Sequence, residues 1–192
     1  MSPEELGLLA DLKAAGFPVE APADLYIKKY KYQSAIPVLL DWLPKISDPG
    51  LKEEVVRALA VKWAKGTAAK PLIAELSATS DHSGVGLAWA IANALAVVAE
   101  DEDLGAIEKL LAAGRFGKAR EMLVLALGNM RKSPHAVTFL IRLLDDEDVA
   151  GHAIMALRKL GAKGTRSSIE PFLSDPRAWV RKEAKKALEK LS

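Results

Sequence analysis

The sequence predicts an all-α protein, a solenoid in which pairs of helices stack one after another. The main observation is a helical pattern that recurs along the chain at intervals of 30 to 36 residues, the period of a helix-pair repeat. In each copy, apolar residues stand at position zero and four, seven and eight residues later, so that they share one face of a helix. Position zero of the successive copies is occupied by Leu51, Leu87, Ala119, Val149 and Val180.

The composition is consistent with this architecture. Hydrophobic residues make up 50% of the 192 residues and aromatic residues only 6%, which favours close packing of helix against helix. The chain has no cysteine, which excludes disulfide frameworks, thiolate catalysis and cysteine-ligated metal sites. The net charge of +2 is too small to indicate nucleic-acid binding by itself. Because the N-terminus is acidic and no apolar run approaches the ~18 residues of a membrane span, we expect a cytoplasmic protein that does not contact a membrane.

Residues 1–33 lie outside the repeated pattern. Ser2 followed by Pro3 and two glutamates is a typical helix start, with a hydroxyl N-cap, proline in the first turn and carboxylates near the positive end of the helix dipole. Residues 24–33 suggest a short helix or an irregular segment. We predict that residues 1–33 form a helical cap, because the open end of a solenoid needs covering; an extension unrelated to capping is the alternative.

From residue 34 the sequence alternates between first and second helices of successive pairs. The predicted first helices lie near residues 35–45, 67–78, 103–113, 134–145 and 166–174. The predicted second helices lie near residues 50–65, 85–99, 117–131, 148–160 and 176–191. The tripeptide Ser-Asp-Pro precedes the first and last of these, placing Asp48 and Asp175 at N-cap positions. Since no low-complexity linker interrupts the chain, we expect one domain over residues 1–192, with five repeats over residues 34–192.

Residues 35–40 (AIPVLL), followed by a turn and a helix, and residues 175–188 (DPRAWVRKEAKKAL) resemble HEAT repeats of the short bacterial type also found in phycobiliprotein lyases. The resemblance covers residues 34–192 and implies a right-handed superhelix that binds proteins and sometimes nucleic acid. It also implies that an Asp in the turn pairs with a basic residue early in the second helix, here Asp175 with Arg181 and Asp48 with Lys52. The third and fourth repeats lack this pairing.

The side of the second helices opposite the repeated pattern is the candidate binding surface. Positions two, five, six and nine lie there, on the expected concave face, and they are largely apolar in the three middle repeats. We predict that this face binds a protein or peptide without catalysis, cofactor or metal. The alternative is that the apolar strip is core, covered by tight curvature or by residues 1–33. The predicted contact residues are Arg57, Trp89, Asn93, Glu121, Leu125, Met155 and Arg158.

Two other functions are alternatives. Basic residues interleaved with Tyr26, Tyr30 and Tyr32, and a second basic group on the last helix, suggest contacts with a nucleic-acid backbone. The residues of these two patches are Lys28, Lys29, Lys31, Arg181, Lys182, Lys185 and Lys186. Some HEAT-like bacterial proteins are DNA glycosylases, and Trp89 with Glu121 is the nearest approach to such a site.

Ionisable clusters favour structural interpretations. The acidic runs at residues 100–103 and 145–148 precede helix starts, where carboxylates act as caps. His82, His135 and His152 fall in three different repeats, without the spacing of metal ligands. Residues 83–86 (SGVG) are interpreted as the start of a helix, although such a turn can also hold an anion.

Overall fold

The computed structural model describes residues 1–80 and 85–191, and all regular structure within these two stretches is helical. His82 and residues 83–84 of the predicted turn at residues 83–86 lie outside the described residues. No helix in the described stretches is long and apolar enough to cross a membrane. The α-helices are α1 (Pro3–Ala14), α2 (Asp24–Ile27), α3 (Ile36–Trp42), α4 (Pro49–Leu59), α5 (Ala69–Ala78), α6 (Gly86–Val98), α7 (Leu104–Ala112), α8 (Ala119–Leu127), α9 (Pro134–Arg142), α10 (Ala150–Leu160), α11 (Arg166–Ile169) and α12 (Ala178–Lys190).

The predicted solenoid of alternating helices is confirmed. The second helices α4, α6, α8, α10 and α12 form one layer, in which each helix contacts the next. Of the predicted pattern positions zero, four, seven and eight on these helices, all are buried except Leu87, which is half-buried. Position five is buried as well, at Val56, Ala92, Val124 and Ile154. The second helices other than α12 therefore bury a wider arc than the pattern predicts, because they pack against neighbouring second helices as well as against first helices; on α12 position five is the exposed Lys185.

The last helix pair departs from its predicted bounds. α11 ends at Ile169 and continues as a 3-10 turn over Glu170–Ser174, since Pro171 has no N–H to donate to the preceding turn. α12 begins at Ala178 rather than at residue 176, so the prediction that Asp175 is its N-cap is wrong. Asp175 instead accepts hydrogen bonds from the backbone N–H and the guanidinium of Arg177, which lowers the pKa of Asp175 to about 2.

Neither of the two predicted Asp–basic pairs within a repeat forms. Asp48 caps α4 by accepting from the backbone N–H of Leu51 at 2.7 Å, while Lys52 reaches Glu75 of the neighbouring α5 at 2.6 Å. Arg181 donates to the backbone carbonyls of residues 175 and 176 rather than to a carboxylate.

The long ion pairs of the second helices join one repeat to the next. Arg120 on α8 pairs with Asp146 in the turn before α10, and Arg158 on α10 pairs with Glu183 on α12 at 2.9 Å. A long basic side chain is able to reach from one second helix to the next repeat. The predicted pairing within a repeat would have given no ion pair between repeats.

Residues 1–33 contact both helices of the first pair. α1 packs on α3 so closely that a Cβ at Gly7 would lie 2.5 Å from Cη2 of Trp42, whose Nε1–H donates to Asp11 at 2.8 Å. Farther along, the buried hydroxyl of Tyr32 donates to the carbonyl of Ala58 on α4 at 2.9 Å. These contacts are with α3 and α4, at the start of the second-helix layer rather than at its middle.

Candidate functional site

The second helices carry a row of partly exposed side chains on the side opposite the buried pattern. We call this row the groove face. It consists of the predicted residues Arg57, Trp89, Asn93, Glu121, Leu125, Met155 and Arg158. Arg57 is exposed and the other six are half-buried, whereas position five beside them is closed. The apolar strip is thus divided, with its deeper positions in the core and its outer positions in contact with solvent.

A cavity of about 390 Å³ opens on the groove face at the C-terminal ends of four second helices. We call it the rim cavity. Its floor is formed by Ala96 of α6, Leu125 of α8 and Met155 of α10. Its basic wall is formed by Arg158, Lys159 and Lys190. The volume lies at the low end of the range for ligand pockets and suits one side chain with part of a backbone.

Close packing beneath the cavity depends on a glycine. A Cβ added to Gly128, at the end of α8, would lie 3.2 Å from the Cα of Ala156 and 3.1 Å from Cδ of Lys159. The absence of a side chain lets α8 and α10 approach, and it lets the aliphatic part of Lys159 cross over α8. The neighbouring Asn129 donates its Nδ2–H to the carbonyl of Ala96 at 2.9 Å, which satisfies a free carbonyl in the last turn of α6.

The wall of the rim cavity has an excess of positive charge. Arg158 is neutralised by Glu183 at 2.9 Å, although its buried Nε–H has no acceptor within residues 1–80 and 85–191. Lys159 forms no ion pair with any residue that the structure describes. Burial lowers the pKa of Lys159, and the positive charges of Lys65 and Arg131 lower it further. The protonated form of this amine is therefore disfavoured, and a nearby anion would stabilise it.

A second cluster lies at the N-terminal ends of α8, α10 and α12. The carboxylate of Glu121 is 3.7 Å from Nε2 of His152, and the indole of Trp179 lies 5.2 Å from the His152 ring, centroid to centroid. Trp179 covers Gly151 so closely that a Cβ there would lie 2.1 Å from Cη2 of the indole. Burial lowers the pKa of His152, and the negative charge of Glu121 offsets part of this effect by raising it. Glu121 therefore already has a neighbouring partner within the protein.

The structure brings three of the seven predicted contact residues to the rim cavity: Leu125, Met155 and Arg158. Arg57 pairs with Glu53 at 2.6 Å on the outer helix α4, and Trp89 and Asn93 lie on α6 nearer its start. Ala96, Lys159, Lys190 and Trp179 were not among the predicted contact residues. Ala96 stands at position nine, which the sequence already placed on this face, whereas Lys159 and Lys190 stand at position ten, one helical turn beyond position six.

Comparison with known proteins supports the repeat type. Residues 104–189 match the family model for HEAT repeats. This segment consists of HEAT repeats. It contains α7 to α11 and most of α12, and hence Leu125, Met155, Arg158 and Lys159 of the rim cavity. Ala96 precedes the HEAT segment and Lys190 follows it directly.

Solved structures of repeat proteins share the fold over the whole chain. A crystal structure of an engineered protein from a structural genomics consortium is 24% identical, with a TM-score of 0.60 over 100% of this chain and 97% of that one. A designed armadillo repeat protein is 22% identical, with a TM-score of 0.55 over 100% and 96% of the two chains. No curated protein matches the chain. The repeat fold is typical of non-enzymatic scaffolds for protein interaction, which use the extended surface of stacked repeats.

The basic patches of the nucleic-acid alternative lie apart, one before the first helix pair and one on the last helix. In the first, Lys28 pairs with Asp24 at 3.0 Å, while Lys29 and Lys31 are exposed. The rings that were predicted to interleave with these lysines turn inward: Tyr32 is buried, and Tyr30 packs edge-on against Phe17. The ring of Tyr32 is therefore not available to stack on a base next to these lysines.

The second basic patch, on α12 of the HEAT segment, is partly engaged. Lys186 pairs with Glu183 at 2.6 Å, and Arg181 donates to backbone carbonyls, while Lys182 and Lys185 project into solvent. Within the described residues, no group of three or more histidine or acidic side chains is arranged to hold a metal. In the acidic run before α7, the backbone N–H of Glu100 donates to Asp103 at 2.9 Å, as expected of a helix cap.

Proposed function

We propose that the chain is a non-enzymatic scaffold that binds a polypeptide segment of a partner protein along its groove face. The observation that carries the proposal is the rim cavity, because it interrupts a layer that is otherwise closed at position five. Leu125 and Met155 expose part of their apolar surface there, next to charged side chains that form a polar, hydrated rim. An apolar centre with a polar rim is the usual composition of a protein interface.

The secondary structure limits how a partner is held. The backbone groups within the second helices are satisfied by helical hydrogen bonds, so a bound segment has to be recognised by side chains. The rim cavity can receive an anchor side chain, and the half-buried amide of Asn93 offers both a donor and an acceptor to a peptide backbone. Trp89, half-buried on the same helix, supplies the kind of rigid aromatic contact that is enriched at interface hot spots.

The proposal also includes a cytoplasmic location, which the absence of cysteine from the sequence supports. It treats residues 1–33 as a cap on the first helix pair and residues 34–192 as the repeats that carry the groove face. The contacts of Tyr32 with α4 and of α1 with α3 support this division.

Selection from a display library of random peptides tests the proposed function. The bait is the full chain, and each selected peptide is then measured against the double variant Leu125→Ala/Met155→Ala. We expect at least ~10-fold weaker binding to the double variant, as for the loss of a central apolar anchor pair. The matched control is Leu173→Ala, which removes an exposed leucine of the 3-10 turn before α12 and should leave affinity unchanged.

Three results would contradict the proposal. One is a failure to select any peptide, and another is a set of peptides whose affinity is the same for wild type and the double variant. The third is preferential binding of a single-stranded oligonucleotide that weakens steeply as salt is raised, since that behaviour is characteristic of contacts to the phosphate backbone.

A further inference from the structure

The rim cavity has an apolar floor and a positively charged wall. Ala96, Leu125 and Met155 present carbon and sulfur atoms only, and Met155 can adapt its unbranched side chain to different occupants. Among the described residues that line the cavity, the three charged ones are all basic and none is a carboxylate. An occupant that satisfies both parts must carry an apolar group and negative charge close together.

The positive charge of the wall is only partly neutralised inside the protein. Glu183 lies within ion-pair distance of Arg158 and Lys186, and Lys65 is 3.8 Å from Glu100. Lys159, Arg131 and Lys190 have no ion-pair partner among the residues that the structure describes. Two amines of the wall, Lys159 and Lys190, thus retain unpaired charge, and the positive charge of Arg131 acts on Lys159. Such unpaired charge attracts a complementary segment and speeds its association.

Lys159 is exposed, but the aliphatic part of its side chain passes over Gly128, where an added Cβ would lie 3.1 Å from Cδ of Lys159. Partial burial and two neighbouring positive charges disfavour its protonated form, in the direction that lowers its pKa. A carboxylate bound at the wall would reverse that effect and stabilise the charged amine.

From these observations we infer that the rim cavity binds an acidic polypeptide segment, with one aliphatic side chain on the floor and flanking carboxylates on Lys159 and Lys190. This inference rests on the proposed function and names the chemistry of its partner. A nucleic acid carries negative charge too, but its bases need aromatic or guanidinium planes for stacking. None of the described residues that line the cavity is aromatic, and its one guanidinium, that of Arg158, is already paired with Glu183 at 2.9 Å. An aliphatic floor fits a leucine or isoleucine side chain better than it fits a base.

The first experiment measures fluorescence anisotropy of a short labelled peptide composed of glutamates and leucines. The comparison peptide has glutamine in place of every glutamate and is otherwise identical. We expect the acidic peptide to bind wild type at least ~10-fold more tightly than the glutamine peptide. The double variant Lys159→Gln/Lys190→Gln should remove most of that preference, because it removes the two unpaired amines of the wall.

The matched control is Lys182→Gln/Lys185→Gln, which removes the same charge from exposed positions of α12 outside the cavity. We expect this control to stay within ~2-fold of wild type, since exposed charges act mainly through a screened long-range field. Equal weakening in the two double variants would show general attraction to a basic surface and would overturn the inference. Equal binding of the acidic and glutamine peptides would overturn it too.

The library selection separates the failure of this inference from the failure of the proposed function. Selected peptides that require Leu125 and Met155 but are neutral or basic would overturn the acidic segment while supporting the groove face. Selected peptides that are acidic and lose affinity in Lys159→Gln/Lys190→Gln support both. Displacement of the acidic peptide by a single-stranded oligonucleotide at lower concentration than by unlabelled acidic peptide would assign the cavity to nucleic acid and overturn the inference.

Discussion

Two residues of α10, two positions apart, are predicted to contribute very unequally to the free energy of unfolding. Leu157 is completely buried and belongs to the recurrent apolar pattern, whereas Met155 is half-buried on the groove face. Leu157→Ala removes three carbons from the core, a transfer term of roughly 2.4 kcal/mol at about 0.8 kcal/mol per carbon. The cavity left behind adds to this, so that we expect a loss of about 3–5 kcal/mol in the free energy of unfolding.

Met155→Ala removes a side chain that solvent already reaches. Because part of its apolar surface stays in contact with water in the folded protein, we expect a smaller loss, of about 1–2 kcal/mol. Both values come from equilibrium unfolding in urea, followed by far-ultraviolet circular dichroism and by tryptophan fluorescence, with coincident curves as the check on two-state behaviour. Lys185→Ala, on an exposed face of α12, serves as control and should change the free energy by no more than about 0.5 kcal/mol.

The result that would refute the assignment of faces is an equal loss for the two α10 variants, or a larger loss for Met155→Ala. Either would mean that the groove face is core and that the rim cavity is not an open surface. A change in the denaturant slope for one variant only would point instead to a loss of cooperativity between repeats, which a stack of nearest-neighbour units permits.

Two further predictions concern aromatic residues. Burial raises the pKa of Tyr32 to about 12, above its unfolded value, so its contribution to stability is complete below about pH 10 and is lost as pH rises toward 12. Tyr32→Phe should therefore flatten the alkaline decline of thermal stability, and an unchanged decline would contradict a buried phenol. Trp63 and Trp179 are 44% and 43% exposed while Trp89 is half-buried on α6, so iodide should quench Trp89→Phe almost as strongly as wild type. A large drop in the quenchable fraction would mean that Trp89 is the most open of the three.

The repeated pattern was sufficient to predict the helix pairs, because burial in a stacked layer acts on the same positions of every second helix. Val180, Ala184, Ala187 and Leu188 of α12 illustrate this, since all four are buried. The pattern was insufficient for the last helix start. Asp175 can either cap α12 or bind Arg177. It binds Arg177, whose guanidinium donates two hydrogen bonds to the carboxylate in addition to the one from the backbone N–H.

The candidate site was predictable only in part, for a geometric reason. A helical wheel treats one helix at a time, and it identified Leu125 and Met155 as outward-facing. The rim cavity is lined by residues of four helices together, and beneath it α10 passes close to Gly128 of α8. Inter-helix spacing is not a property of any single helix, so the participation of Lys159 and Lys190 became evident only from the structure.

The methionine methyl groups offer the most direct test of the central claim, that the groove face binds a polypeptide. The sequence has four methionines. Met155 lines the rim cavity, Met130 is buried and Met1 is exposed at the other end of the chain. In a methyl-labelled sample titrated with a library-selected peptide, we expect a saturable shift of the Met155 resonance while the resonances of Met1 and Met130 stay unchanged. Saturation of binding with no shift at Met155 would contradict it.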